Sequence, residues 1–81
     1  MLVVYISNFT TEIKVHILNP VKNETHRFSY LPTDSVQTLV SPLSFAEGEI
    51  SEVFFKGINS KFKEIENHIL SNYKGVKITW Q

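Results

Sequence analysis

The apolar segment at the start of the chain, Leu2–Ser7, constrains the fold more than any other. Five apolar residues follow one another without a polar break from Leu2 to Ile6. Such a run is typical of a strand that is covered on both faces. It is too short for a signal peptide or a membrane span, and no basic segment precedes it. We therefore expect a central strand in a soluble, cytoplasmic protein without a membrane partner.

Two further segments predict strands that follow the first. In 12–17 every second residue is apolar, and Pro20 lies in the turn that follows. Strict alternation is typical of a half-buried strand, and proline ends one by removing a donor. The segment 25–31 alternates in the same way before Leu31-Pro32. These three strands predict an antiparallel meander.

The second half of the chain predicts helix and then strand. Placed at about 100° per residue, six apolar residues of 51–73 share one arc, as in an amphipathic helix; they are Phe54, Ile58, Phe62, Ile65, Ile69 and Tyr73. Lys74-Gly75 is typical of a helix end, and 76–81 alternates as a last strand. A capping-box pattern from Asp34 predicts a short helix at 34–41, which Pro42 limits. The alternative is an extended segment at 36–41.

These elements predict one α+β domain spanning residues 1–81, in the order β-β-β-α-β. The long helix packs on one face of the sheet, which carries Ile13, Val15 and Ile17. We expect the last strand beside the first, so that the sheet order is 3-2-1-4.

The second face of this sheet is also apolar, at Val3, Tyr5 and Leu18. Two kinds of cover are consistent with it. The interpretation we favour is that the segment 33–46 folds over it, because small domains are built in layers. The other is that a second chain covers it, which makes the face a partner or dimer site.

Composition excludes several kinds of chemistry. The chain has no cysteine, and eight basic residues balance eight acidic ones, with a sequence pI ≈ 6.8. A neutral chain lacks the basic excess that unspecific phosphate binding normally requires. No nucleophile elbow or glycine-rich phosphate loop occurs. We therefore expect no enzyme, no catalytic residue and no cofactor. His16 and His26 have no regular metal-ligand spacing, so we expect no metal site either.

Charge is uneven along the chain. Residues 34–53 contain four acidic residues and no basic one, whereas 54–81 contain five lysines and two glutamates. On the predicted helix and just after it, three lysines surround Leu70 in angle and could form a stripe for an acidic or nucleic-acid partner; they are Lys56, Lys63 and Lys74. The acidic residues could likewise contact a basic partner or the lysines of a second copy. The interpretations we favour are a solvated helix face for the lysines and helix capping for the acidic residues.

The function we favour is that of a small interaction or inhibitor-type protein, which binds a protein partner by occluding its surface. Residues encoded by AT-rich codons dominate the sequence, which suggests a phage or mobile-element accessory protein, and a homodimer is a further expectation. The candidate partner-binding residues are Val3, Tyr5, Glu47, Glu49, Glu52, Lys56, Lys63, Leu70 and Lys74. The alternative is a nucleic-acid-binding domain that uses the lysine stripe or the open sheet, where Tyr5 and Phe9 could stack bases beside Arg27.

Overall fold

Strands and helices alternate in the second half of the chain and follow three strands in the first. The structure is a computed structural model that describes residues 1–45 and 48–81. Its elements are β1 (Leu2–Asn8), β2 (Ile13–Asn19), β3 (Glu24–Tyr30), α1 (Val36–Phe45), β4 (Ile50–Lys56), α2 (Phe62–Asn72) and β5 (Lys77–Trp80).

The strands form one mixed sheet in the order β3-β2-β1-β4-β5. The first three are antiparallel neighbours, which confirms the predicted meander. β4 pairs with β1 in parallel, and β5 pairs with β4 in parallel. The apolar strand β1 is therefore central, as its composition predicted. The small α+β class is confirmed, with five strands and two helices among the described residues.

The prediction of one long helix over 51–73 is wrong. Residues 50–56 form β4, because Val53 and Phe55 are fully buried and alternate with Glu52, Phe54 and Lys56, which are not. Gly57, with a φ of 87°, ends this strand, and only 62–72 is helical. β4 occupies the position beside β1 that we expected for the last strand, so the predicted order 3-2-1-4 is wrong as well.

The short helix is present, but it spans 36–45 instead of 34–41. Its cap is Ser35, whose Oγ accepts a hydrogen bond of 3.3 Å from the Thr38 amide; Asp34 instead accepts one from the Leu31 amide. Pro42 lies inside the helix and cannot donate to the Thr38 carbonyl. The Ser41 hydroxyl donates to that carbonyl at 2.7 Å, so the acceptor is satisfied and the helix continues.

Both helices pack on the same face of the sheet. Leu39, Val40 and Leu43 of α1 belong to the same buried cluster as Ile65 and Ile69 of α2. The expectation that segment 33–46 covers the second face is therefore wrong; the side chain of Phe45, which was part of that cover, lies outside the described residues. The apolar side of α1 and that of α2 share one core because β1, β2 and β4 present one continuous buried surface.

Trp80 fixes the edge strand β5 to the core. Its ring stacks on Phe55 with centroids 4.4 Å apart, and its Nε1 donates a hydrogen bond of 3.2 Å to Glu66. The same carboxylate, in a residue that is only 8 % exposed, accepts a bond of 2.8 Å from Lys63. The hydrogen bond from Lys63 lowers the pKa of Glu66, and the bond from Trp80 and the charge of Lys63 act in the same direction against the effect of burial.

Acid is expected to weaken this attachment. The pKa of Glu66 is lower in the folded state than in the unfolded chain. Its contribution to the free energy of unfolding is therefore complete above the ordinary glutamate pKa of about 4.3 and is lost as the pH falls below it. Glu66→Gln should reduce the loss of stability between neutral and acidic pH, measured by urea denaturation across that range. Glu64→Gln, on the exposed side of the same helix, should leave the acid dependence close to that of the wild type. Equal profiles for the wild type and Glu66→Gln would contradict the assignment.

Candidate functional site

The sheet face opposite the helices, called the open face here, carries three rows of side chains that run across the strands. The register of the four strand pairs defines them. The first row is Ser29, Lys14, Ser7 and Lys56; the middle row is Arg27, His16, Tyr5, Phe54 and Thr79; the third row is Thr25, Leu18, Val3, Glu52 and Lys77. The β1 and β2 members are half-buried, whereas their neighbours on the helix side are buried.

An aromatic pair lies at the centre of the open face. The rings of Tyr5 and Phe54 are stacked, with centroids 4.8 Å apart and planes inclined by 10°. The separation equals the spacing of paired strands, about 4.8 Å, because the two residues are direct partners on β1 and β4. One face of each ring is turned towards the other ring. On its other side Tyr5 is paired with His16 of β2, and Phe54 is paired with the short residue Thr79 of β5.

Four cationic side chains surround this pair, and among the described residues two carboxylates lie beside them, Glu52 on the open face and Glu12 next to Lys14. The four cations are Lys14, Arg27, Lys56 and Lys77. Glu52 is already engaged, since it accepts a bond of 3.0 Å from Thr79 and lies 3.8 Å from Lys77. Because the whole chain is neutral, the basic excess on this face is matched by an acidic excess elsewhere. Charge is therefore segregated by the fold.

Two of these cations have no ion pair within the described part of the chain. Lys14 lies 3.5 Å from Glu12 and Lys77 pairs with Glu52, whereas Arg27 and Lys56 contact no carboxylate there. Both are exposed. They flank the aromatic pair on β3 and on β4 and are therefore available to an anionic ligand.

His16 lies between Arg27 and Tyr5 in the middle row. Burial lowers its pKa, and the charges of Arg27 and Lys14 lower it further. The imidazole is therefore mainly uncharged at neutral pH, with one donor and one acceptor nitrogen. His26 pairs with Ile17 and lies on the helix side. His16 and His26 thus lie on opposite faces of the sheet, and the described residues contain no group of three or more potential metal ligands.

The open face ends at a third aromatic ring, that of Phe9. It is 48 % exposed, and Lys14 Nζ lies 5.3 Å from its centroid. Asn8, which precedes it, donates to the Ile58 carbonyl at 2.9 Å and accepts from Asn59 at 3.1 Å. These bonds tie the end of β1 to the turn that follows β4, and so fix the position of Phe9 and of Lys56 at one end of the open face.

Four of the residues that the sequence proposed for partner binding lie on the open face. Val3, Tyr5 and Glu52 occupy β1 and β4 near the centre, and Lys56 ends β4. Phe54 was missed because the helical arc assigned it to the core. The adjacent aromatic pair Phe54-Phe55, in which the two side chains of a strand point to opposite faces, was the signal that identifies it.

The remaining proposed residues lie elsewhere, and the lysine stripe does not exist as one surface. Lys63 and Leu70 are on the outer side of α2, where Leu70 is 52 % exposed. Lys74 follows α2 and lies near Ile50, at the opposite end of β4 from Lys56. Glu49 is exposed just before β4, and Glu47 lies outside the described residues. The predicted stripe is wrong because Lys56 belongs to the strand β4, whereas Lys63 belongs to the helix α2.

Comparison of the chain with protein-family models, with curated proteins and with solved structures finds no match. Neither α1 nor α2 is long and apolar enough to span a membrane, and this holds for the described residues only.

Proposed function

We propose that this protein is a non-enzymatic nucleic-acid-binding domain and that the open face is its binding surface. One observation carries the proposal: a stacked aromatic pair stands between basic side chains on a sheet face that neither helix covers. Basic groups bind the phosphate backbone, and aromatic rings stack with bases. The open face combines both groups within one row of five side chains.

The open face suits a polyanion better than the surface of α2 does. Two of its cations, Arg27 and Lys56, lie near the aromatic pair without a carboxylate beside them. On α2, the ammonium of Lys63 is already bound to Glu66 at 2.8 Å. The exposed Leu70, two turns further along α2, carries no charge. An anionic ligand therefore gains more from the sheet side than from the helix side.

The proposal of a non-enzymatic protein is supported by the shape of the surface. Catalysis requires a concave site that excludes water, whereas the open face is one side of a sheet. The depression between the start of β4 and the end of α2 contains Glu49 and Lys74, which are both exposed. Binding without chemical conversion is the function that this surface supports, and a cytoplasmic location is part of the proposal.

A protein partner that is bound by occlusion is a second proposal, for which Leu70 is the supporting observation. Its side chain is 52 % exposed on α2, and a partner could bury it. An inhibitor of phage or mobile-element origin belongs to this proposal, and composition alone supports that origin. A homodimer through the open face is disfavoured, because it would set two basic surfaces against each other.

Reversing the charge of one lysine on each side of the molecule tests the proposal. Lys56 and Lys74 are both exposed, and they were grouped by sequence but separated by the fold. Lys56→Glu is expected to weaken binding to a labelled nucleic acid about tenfold at low salt, because it replaces an attraction with a repulsion. Lys74→Glu changes the net charge equally and should leave affinity within about twofold. Fluorescence anisotropy with a short thymidylate strand and with a duplex of equal length measures both.

Salt dependence provides a second readout in the same assay. The open face offers four cations, so the slope of log affinity against log salt for a single strand should be no steeper than about −3. Equal losses for Lys56→Glu and Lys74→Glu would contradict the assignment to the open face. Absence of binding to either probe by the folded protein at low salt would contradict the proposed function itself.

A further inference from the structure

We infer that the nucleic acid is single-stranded and that its bases stack on the outer faces of the Tyr5–Phe54 pair. The inference rests on the proposed function and names the form of its ligand. It is carried by the geometry of the pair, in which the centroids are 4.8 Å apart and the planes nearly parallel. Each ring has one side against its partner, and its other side lies next to a shorter side chain, His16 or Thr79, so a base can reach the part of the ring that projects beyond that neighbour.

The neighbours of the two rings have shorter side chains than tyrosine and phenylalanine, so the outer part of each ring projects beyond them. Beside Phe54 stands Thr79, a short side chain whose hydroxyl is turned to Glu52 at 3.0 Å. Beside Tyr5 stands His16, a planar ring that is mainly uncharged at neutral pH and can itself stack. A base would lie above His16 or Thr79, against the projecting part of Tyr5 or Phe54, because strands about 4.8 Å apart leave no space for it between neighbouring side chains at the level of the sheet. Such contacts do not depend on base identity, because every base has a π-face.

A duplex cannot use this arrangement. Its bases are paired and stacked inside, and only their edges are exposed in the grooves. The faces of bases become available in single strands, where aromatic side chains can stack with them. The middle row crosses five strands and is therefore about 19 Å long. That is a platform for a short run of unpaired nucleotides.

The cations lie where a backbone would pass on either side of stacked bases. Lys14 and Lys56 belong to the first row and Lys77 to the third, and each row is displaced from the middle row by two residues, about 7 Å. Arg27 ends the middle row at the β3 edge. An acidic protein could engage the same cations, but its carboxylates would gain nothing from the aromatic pair. The stacked rings therefore favour a polynucleotide over an acidic polypeptide.

The test removes the rings and keeps an apolar side chain. Tyr5→Leu and Phe54→Leu are each expected to lower affinity for a short thymidylate strand by about 10- to 100-fold, as loss of one base stack does. Tyr5→Phe keeps the ring and should bind within about twofold of the wild type. Phe28→Leu is the matched control, since Phe28 is 36 % exposed on the helix side of the same sheet. Circular dichroism verifies that each variant is folded.

The outcomes separate this inference from the proposed function. Stronger binding to the single strand than to the duplex, with losses confined to the two leucine variants, supports the inference. Equal binding to both forms, unchanged by Tyr5→Leu, overturns it and leaves nucleic-acid binding intact. Equal binding to polyglutamate and to the single strand overturns it in favour of an acidic protein. Loss of all binding by the folded wild type overturns both.

A measurement on the unmodified protein covers the case in which a leucine variant does not fold. Ultraviolet cross-linking of the wild type to a thymidylate strand, followed by peptide mass spectrometry, should attach nucleotide to Tyr5 or Phe54. Attachment at Phe28 or Trp80 instead would overturn the inference, because Phe28 and Trp80 lie on the helix side.

Discussion

Phe55→Ala is expected to lower the free energy of unfolding by about 3–5 kcal/mol, the cost of a large cavity in a packed core. The Phe55 ring is fully buried and contacts two other aromatic rings, with centroids 5.2 Å from Phe62 and 4.4 Å from Trp80. A domain of 81 residues has a total stability of about 4–12 kcal/mol, so this variant should be largely or wholly unfolded at moderate temperature. Urea denaturation followed by far-ultraviolet circular dichroism measures the loss.

The neighbouring residue provides the control. Phe54 is half-buried on the open face, and Phe54→Ala should cost about 1–2 kcal/mol. In a helix over 51–73 the order would be reversed, since Phe54 would face the core. A larger loss for Phe54→Ala than for Phe55→Ala would contradict the strand β4 and, with it, the composition of the open face.

Gly57→Ala is expected to destabilise the domain by about 1–3 kcal/mol from its backbone conformation alone. Gly57 has a φ of 87°, and an added Cβ would lie 3.1 Å from the Asn8 carbonyl oxygen and 3.2 Å from Asn8 Cβ. The backbone at Asn8 cannot shift easily, because the Asn8 side chain is hydrogen-bonded to Ile58 and Asn59. Chemical denaturation measures the loss.

Gly75→Ala separates strain from crowding. Gly75 has a φ of 70°, and an added Cβ would meet nothing within 4 Å. Both variants carry the cost of a positive φ, so the excess loss in Gly57→Ala reports the contact with Asn8. Equal losses would show that the junction of β1 with the β4–α2 turn tolerates the added methyl group. The hydrogen bonds of Asn8 would then not hold the Phe9 and Lys56 end of the open face rigidly in place.

The first half of the fold was predictable because its pattern is local. β1, β2 and β3 follow from an apolar run and two alternating segments, and their register places Ile13, Val15 and Ile17 in the core as expected. Val3, Tyr5 and Leu18 lie on the opposite face for the same reason. Alternation along a strand determines the face of a side chain directly.

The second half was not predictable because two periods coincide there. The spacing of Phe54, Ile58 and Phe62 fits a helix, yet Phe54 lies on the open face and Ile58 is 93 % exposed. Only Phe62, Ile65 and Ile69, at the end of the arc, are buried on a helix.

The alternation in β4 covers only seven residues, and the pairing of β4 with β1 is irregular near the start of both strands. Gly57 and Asn59 were the signals that a helix over 51–73 is interrupted. Gly57 has a positive φ, and the side chain of Asn59 accepts a hydrogen bond from the Lys61 amide.

The candidate site depends on contacts that are distant in sequence. Tyr5 and Phe54 are partners only because β4 pairs with β1. Arg27 lies in the same row because β3 pairs with β2 and β2 pairs with β1. Net charge gave no indication of the basic face, because the neutral total conceals segregation between the two sides of the sheet. Sequence identified Tyr5, Phe9 and Arg27 as one alternative, while the pairing that joins Tyr5 to Phe54 required the fold.

The most direct test of the central claim is a nuclear magnetic resonance titration of the labelled wild type with a short thymidylate strand. The claim is that the open face binds single-stranded nucleic acid. It predicts that the ring signals of Tyr5 and Phe54 shift progressively with added strand, while those of Phe55 and Phe62 on the buried side shift little. Shifts centred on α2, around Lys63 and Leu70, or the absence of any shift at low salt, would contradict it.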